Sequence, residues 1–303
     1  MRSAVQARVA DLASPVRRRS TLLVGRKLYT VNERRGPCIG VFDSGIGGLS
    51  ILKALRAELP QEDFIYIADS GHAPYGEKDE SHVLARSRAI VAYLAKQNVK
   101  ALVIACNTAT AAAIHLLRAE HPGLALVGVE PALKPAVACS RTGCIGVLAT
   151  RGLLSSDKFK ALLAAQAGRA KFLIQPCDGL ADAIERSAKT ADTAETIALC
   201  ACYTNAIGSF GTEPGMIDTL VLGCTHYPFA SDCLRPLVGA GVQLIDNGEA
   251  VARQTRRLLT GSLAAADQPQ GRVSLFTTGP APALQAAALR WMALSTPIQS
   301  LYF

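Results

Sequence analysis

Two cysteines close near-matching apolar runs. Ala101-Leu-Val-Ile-Ala leads into Cys106-Asn107-Thr108, and Thr219-Leu-Val-Leu-Gly leads into Cys224-Thr225-His226, at an offset of 118 residues. One thiol after a buried strand is ordinary, because cysteine packs as a small apolar residue. Two in matched flanks suggest a duplicated scaffold that presents both thiols to one site. The chemistry this suits is inversion at a carbon. A single base that returns a proton to the face it left restores the original configuration, whereas one acid/base group on each face inverts it. One thiol must start as thiolate and the other as thiol, and neighbouring acids and imidazoles set those states.

Further polar clusters fall at predicted strand ends, where ligands collect in open parallel sheets. Asp43-Ser44-Gly45-Ile46-Gly47-Gly48 is a Gly-rich turn from strand to helix. Its N–H groups are suited to an anion, although a turn needing positive φ would by itself account for the glycines. It fails as a dinucleotide fingerprint, because Ser50 stands where Gly or Ala is required. Ser44 is expected to bind a carboxylate, with Asp43 facing an ammonium or a thiol and serving Cys106. His226 with Glu185 is expected to serve Cys224. Asn107, Thr108 and Thr225 are donors for charge building on a substrate carboxylate. Pro74-Tyr75-Gly76 is one more such cluster. Nothing nominates a Schiff-base lysine, so the scheme needs no organic cofactor.

These residues require elements to hold them. From Cys38 the chain alternates short apolar strands with amphipathic helices, which predicts an α/β fold with parallel sheets covered on both faces. Strands are expected at 38–42, 64–67, 101–105 and 125–129, with helices at 49–59, 79–97 and 108–119. The pattern restarts at Cys144-Ile-Gly-Val-Leu-Ala149-Thr150, which echoes Cys38-Ile-Gly-Val-Phe-Asp43-Ser44 at an offset of 106 residues. The change in offset from 106 to 118 implies about twelve extra residues in the second copy, placed near 185–215. Two similar α/β domains follow, 37–132 with 248–303 and 133–247, with the site in the cleft between them. Residues 295–303 show little pattern.

The chain has 303 residues, half of them apolar and 18% charged, which supports a sizeable core and excludes general disorder. No apolar run approaches the roughly 18 residues that span a bilayer. The net charge of +8 is local. Residues 1–36 hold nine Lys/Arg against two acids, and the rest holds 23 against 22. The body is therefore nearly neutral, and a nucleic-acid partner loses its main support. The basic stretch reads as a disordered leader or an upstream start codon before an export signal or transit peptide. The nine cysteines form an odd set without C-x-x-C, so most read as free thiols and no metal is expected. Cys200-Ala-Cys202 lies in a helical pattern that turns its two side chains apart.

Together the stretches Ile39-Gly-Val-Phe-Asp43-Ser44-Gly-Ile-Gly-Gly48, Ala73-Pro74-Tyr75-Gly76, Ile104-Ala-Cys106-Asn107-Thr108-Ala109, Gly146-Val-Leu-Ala-Thr150 and Leu222-Gly-Cys224-Thr225-His226-Tyr227-Pro228 resemble the glutamate racemases. These are cofactor-independent enzymes of the aspartate/glutamate racemase superfamily. The resemblance covers roughly residues 38–260. It implies that Cys106 takes the α-proton of D-glutamate and Cys224 that of L-glutamate, with Asp43, Glu185 and His226 assisting. It implies substrate contacts from Asp43, Ser44, Pro74, Tyr75, Gly76, Asn107, Thr108, Thr225 and His226. It also implies a cytoplasmic homodimer supplying D-glutamate for peptidoglycan. Two stretches depart from the family's usual pattern, Cys177-Asp178-Gly179-Leu180 and Asp69-Ser-Gly-His72. The rival readings are a relative acting on aspartate, a thiol-dependent decarboxylase or isomerase, and a non-catalytic protein using its basic leader.

Overall fold

The alternating runs form two fully parallel sheets wrapped by helices. The computed structural model describes residues 22–24, 27–29, 36–265, 267 and 269–303. In the N-terminal unit, β1 (Leu22–Val24) and β2 (Lys27–Tyr29) pair antiparallel. That short pairing was not expected, and the rest of the leader lies outside the described residues.

The first half runs β3 (Cys38–Asp43), α1 (Leu49–Glu58), β4 (Phe64–Ala68), α2 (Glu80–Ala95), β5 (Val99–Ile104), α3 (Asn107–Glu120) and β6 (Ala125–Gly128). The second runs α4 (Leu133–Cys139), β7 (Cys144–Ala149), α5 (Arg151–Ser155), α6 (Asp157–Ala164), β8 (Lys171–Pro176), α7 (Leu180–Thr190), α8 (Ala194–Ile207), β9 (Thr219–Leu222), α9 (Ser231–Val238) and β10 (Gln243–Ile245). The chain then returns to the first half. There α10 (Gly248–Leu258) packs on α1, β11 (Val273–Thr277) pairs with β4, and α11 (Ala281–Met292) leads to β12 (Ile298–Ser300) on β11.

The six-stranded sheet has the order β12-β11-β4-β3-β5-β6 and the four-stranded sheet β10-β9-β7-β8. Counted by position within each copy, both halves share the order 2-1-3-4. The register dates the insertions. Ile39 pairs with Phe64 and Ala101, and its counterpart Ile145 pairs with Phe172 and Thr219, which gives offsets of 106, 108 and 118. Two extra residues therefore precede β8 and ten lie between β8 and β9. That second interval holds α7 and α8, where the first half has one loop and α2.

Every residue of β3 and β7 is buried, as strands covered on both faces must be. Leu49, Leu52 and Leu55 recur on one face of α1 and enter the core beneath it. Each such side chain contributes roughly 1.5–3 kcal/mol on burial. Helices α4, α5 and α9 and strands β10 and β12 are additions to the sequence expectation; all are short, and periodicity is weakest over so few residues. No helix among the described residues is long and apolar enough to cross a membrane.

One polar clasp locks the end of β5 to the segment after β6. Buried Thr110 donates its hydroxyl to the Ile104 carbonyl at 3.2 Å and accepts the Val129 N–H at 3.1 Å. Thr110→Val keeps the volume and leaves that N–H unpaired, at a cost of about 1–3 kcal/mol. Urea denaturation should show this loss, with Thr110→Ser retaining most of the stability.

Candidate active site

Both cysteines stand just past the carboxyl ends of equivalent central strands, Cys106 after β5 and Cys224 after β9. Both line one cleft with about 690 Å³ of free space, part of it open to solvent. Their residues are only 5% and 8% exposed, and both thiols are free. Ser44, Pro74, Tyr75, Gly76, Asn107 and Thr108 line the cleft from the first half, and Glu185, Thr225 and His226 from the second.

The two sulfurs have different neighbours. Cys106 caps α3, its sulfur accepting the Ala109 N–H at 3.4 Å and lying 3.8 Å from Ser44 Oγ. Burial, and then the nearby Asp43 carboxylate, push this thiol up to about 12. Cys106 therefore keeps its proton at neutral pH. Cys224 Sγ lies 3.6 Å from His226 Nδ1, and His226 Nε2 lies 2.8 Å from Glu185 Oε1. Burial alone would lower His226, but its contacts with Cys224 and Glu185 prevail and hold the ring well above the ordinary imidazole value. Burial would raise Glu185, yet His226 and the Ile46 N–H outweigh it and hold the carboxyl below its usual value. The arrangement is a carboxylate–imidazolium relay ending at a sulfur. His226 is thus the proton-bearing group beside the Cys224 sulfur.

Asp43 sits elsewhere than expected. It does not line the cleft; it is fully buried behind it, accepting the N–H groups of Gly45 at 3.1 Å and Gly48 at 3.0 Å and the Thr225 hydroxyl at 3.3 Å. Burial raises its pKa despite the His226 charge and those two N–H groups. Its reach into the site is electrostatic, and structural through Thr225.

The glycines of this turn also have a different cause from the expected one. None of Gly45, Gly47 and Gly48 has positive φ. A Cβ on Gly45 would fall 2.0 Å from Glu185 Oε1, on Gly47 2.4 Å from His226 Nδ1, and on Gly48 2.5 Å from Asp43 Cβ. Close approach demands glycine here, not backbone conformation. The turn does bind anions, but they are the chain's own: Gly45 N and Gly48 N donate to Asp43, and Ile46 N donates to Glu185 at 2.9 Å.

A family model for Asp/Glu/Hydantoin racemases matches residues 49–255. The chain belongs to this racemase family. The glutamate racemase of Ectopseudomonas mendocina is 47% identical over 256 residues, 84% of this chain and 94% of the relative. Among solved structures, glutamate racemase RacE1 of Bacillus anthracis has a TM-score of 0.78 at 29% identity, covering 89% of this chain and 99% of that one. Escherichia coli glutamate racemase, in complex with L-glutamate and the activator UDP-MurNAc-ala, has a TM-score of 0.74 at 30% identity, covering 88% and 98%.

Within this racemase-family site, sequence reasoning about individual roles passed over three residues. Thr150 lines the cleft, 3.3 Å from the Thr108 hydroxyl. Its signal was the echo that sets it opposite Ser44. Asn247, buried after β10, donates to Asn107 Oδ1 at 3.5 Å. Arg151 pairs with Asp178 at 2.5 Å, and both line the cleft. No side chain in the sequence marks Asn247 as a partner for Asn107. Cys200 is buried and Cys202 exposed, and among the described residues no His/Cys/Asp/Glu group is arranged to hold a metal.

Two expectations follow from the relay. The Glu185–His226 pair stabilises the fold above the depressed Glu185 pKa and below the raised His226 pKa. Glu185→Gln should cost about 1.5–3 kcal/mol inside that window, and the deficit should shrink as pH falls through the first value or rises through the second. Thermal melts across pH measure this, and histidine NMR should show His226 titrating lower in the variant. Gly47→Ala should displace the imidazole from Cys224 and Glu185 and abolish racemase activity, while Gly123→Ala, which meets nothing within 4 Å, should be neutral.

Proposed function

We propose that this chain interconverts L- and D-glutamate with two thiols, one on each face of the α-carbon. The observation that carries the reading is the placement of both free thiols, from equivalent strands, in one cleft. Family membership and the glutamate racemases among its relatives support the substrate. From L-glutamate, Cys224 takes the α-proton with His226 and Glu185 behind it. Cys106, which holds its proton firmly, then delivers it to the opposite face. The C–H bond to one face breaks, the C–H bond to the other forms, and the proton count is unchanged. The reverse direction exchanges the roles.

Charge that builds on the α-carbon delocalises into the adjacent carboxylate, so donors near it lower the barrier. Asn107 Nδ2 is buried and has no hydrogen-bond partner among the described residues, which suits it to that task. Ser44, Thr108 and Thr225 supply hydroxyls, and Tyr75-Gly76 supply a wall. The scheme needs no cofactor. We place the two domains at 37–132 with 248–303 and at 133–247, the protein in the bacterial cytoplasm as a homodimer, and its product in peptidoglycan synthesis.

The test is α-hydrogen exchange in deuterated water against a panel of L-amino acids. Glutamate should exchange; exchange of aspartate alone would sink the reading. Cys106→Ala and Cys224→Ala should each lower racemisation by at least about 10²–10⁴-fold, as removal of an acid/base group does. Cys139→Ala, at an exposed thiol, should retain full turnover.

A further inference from the structure

Tyr75 belongs to the cleft wall, yet its hydroxyl does not face the cleft. The ring is buried and the hydroxyl donates to Asp69 Oδ2 at 2.5 Å. Asp69 is fully buried and accepts three further bonds, from Arg86 Nε at 3.0 Å, Arg86 Nη2 at 2.9 Å and Thr278 Oγ1 at 2.8 Å. Arg86 is in turn held from outside. Its Nη1 donates to the main-chain oxygen of Phe303 at 3.3 Å, and its guanidinium carbon lies 5.3 Å from the centre of the Phe303 ring. The same ring lies 5.7 Å from Tyr93. Arg86 and Tyr93 are seven residues apart on α2, two turns along one face. β12 delivers Phe303 there, with Leu301 packed into the core and its N–H on the Thr277 carbonyl at 2.8 Å.

We propose that Ile298–Phe303 is a strap that positions the substrate cleft. Phe303 fixes Arg86, Arg86 fixes Asp69, and Asp69 fixes Tyr75 and with it the Pro74–Gly76 wall. Small displacements of that wall matter because it already touches the other half. A Cβ on Gly152 would lie 2.7 Å from the Gly76 carbonyl, and one on Gly76 would lie 3.0 Å from Thr150 Cβ. Closing the sheet edge does not require Phe303. The strand ends at Ser300, and Phe303 is half exposed, with its ring contacts on two α2 side chains. Phe303 and Arg86 are positioning residues; neither lines the cleft.

The assay rests on the racemase reading, so the test has two independent arms. In the first, Phe303→Ala should raise KM for both enantiomers about two- to fivefold, the loss expected for one half-exposed cation–π contact. Turnover number should hold, because the wall binds ground state and transition state alike. Phe303→Trp should restore KM. Arg86→Lys keeps the charge but loses the two-pronged grip on Asp69, and should raise KM further. In the second arm, amide hydrogen exchange at residues 73–77 should quicken in Phe303→Ala without substrate. Arg88→Ala, on the same helix but paired with Glu120, should change neither readout. The strap is refuted if Phe303→Ala leaves the exchange at 73–77 unchanged, or lowers the melting temperature with KM intact. Faster exchange in a protein that fails to turn over glutamate would uphold the strap and refute the functional reading.

Discussion

Everything in the cleft depends on how the backbone N–H groups between Gly45 and Gly48 are satisfied. These groups lie in the turn before α1, outside strand and helix ladders, and leaving a buried backbone N–H unpaired costs about 1–3 kcal/mol. Here Asp43 takes two of them and Glu185 takes a third, from a position 139 residues beyond Ile46. His226 is seated against the fourth. The contacts that join the two sheets are thus the contacts that set the proton affinities of the site. The absence of side chains at Gly45 and Gly47 is what lets a carboxylate and an imidazole from the second half come so near.

The duplication supplies symmetry where the chemistry needs it and breaks it where the protons need to differ. The four strands of each copy share one order, and both thiols leave the third strand of their copy. Asp43, however, corresponds to Ala149, and Thr108 corresponds to His226. One sulfur therefore sits near a buried carboxylate and the other against an imidazole held by a carboxylate. The connection after the second strand also differs. In the first half it is the Pro74–Gly76 loop; in the second it is α7, which carries Glu185.

Much of this was legible in the sequence because apolar strands and repeated flanks survive divergence. The opening and cysteine strands of both copies lie where periodicity placed them, and all but one of the expected site residues line one cleft. What was not legible had no local signature. Asp43 reads as a site residue from its motif, but only the fold shows that Thr225 stands between it and the cleft. The glycines read as turn formers because sequence reports the missing side chain and not the group that fills its place. The last residues showed no pattern because a three-residue strand carries almost none, and their partners Arg86 and Tyr93 lie more than 200 residues away.

The near-complete burial of both sulfurs has a kinetic corollary. Under the two-thiol scheme each turnover ends with the hydrogen inventory reversed: the sulfur that began bare is loaded and the one that began loaded is bare. The free enzyme must isomerise before it can accept the same enantiomer again. Under that scheme, with both cysteines less than a tenth exposed, the recovery draws on the Glu185–His226 relay and the Ser44 hydroxyl beside Cys106. Under the two-thiol scheme the enclosure of both sulfurs thereby makes the empty enzyme's own relaxation a step in the catalytic cycle.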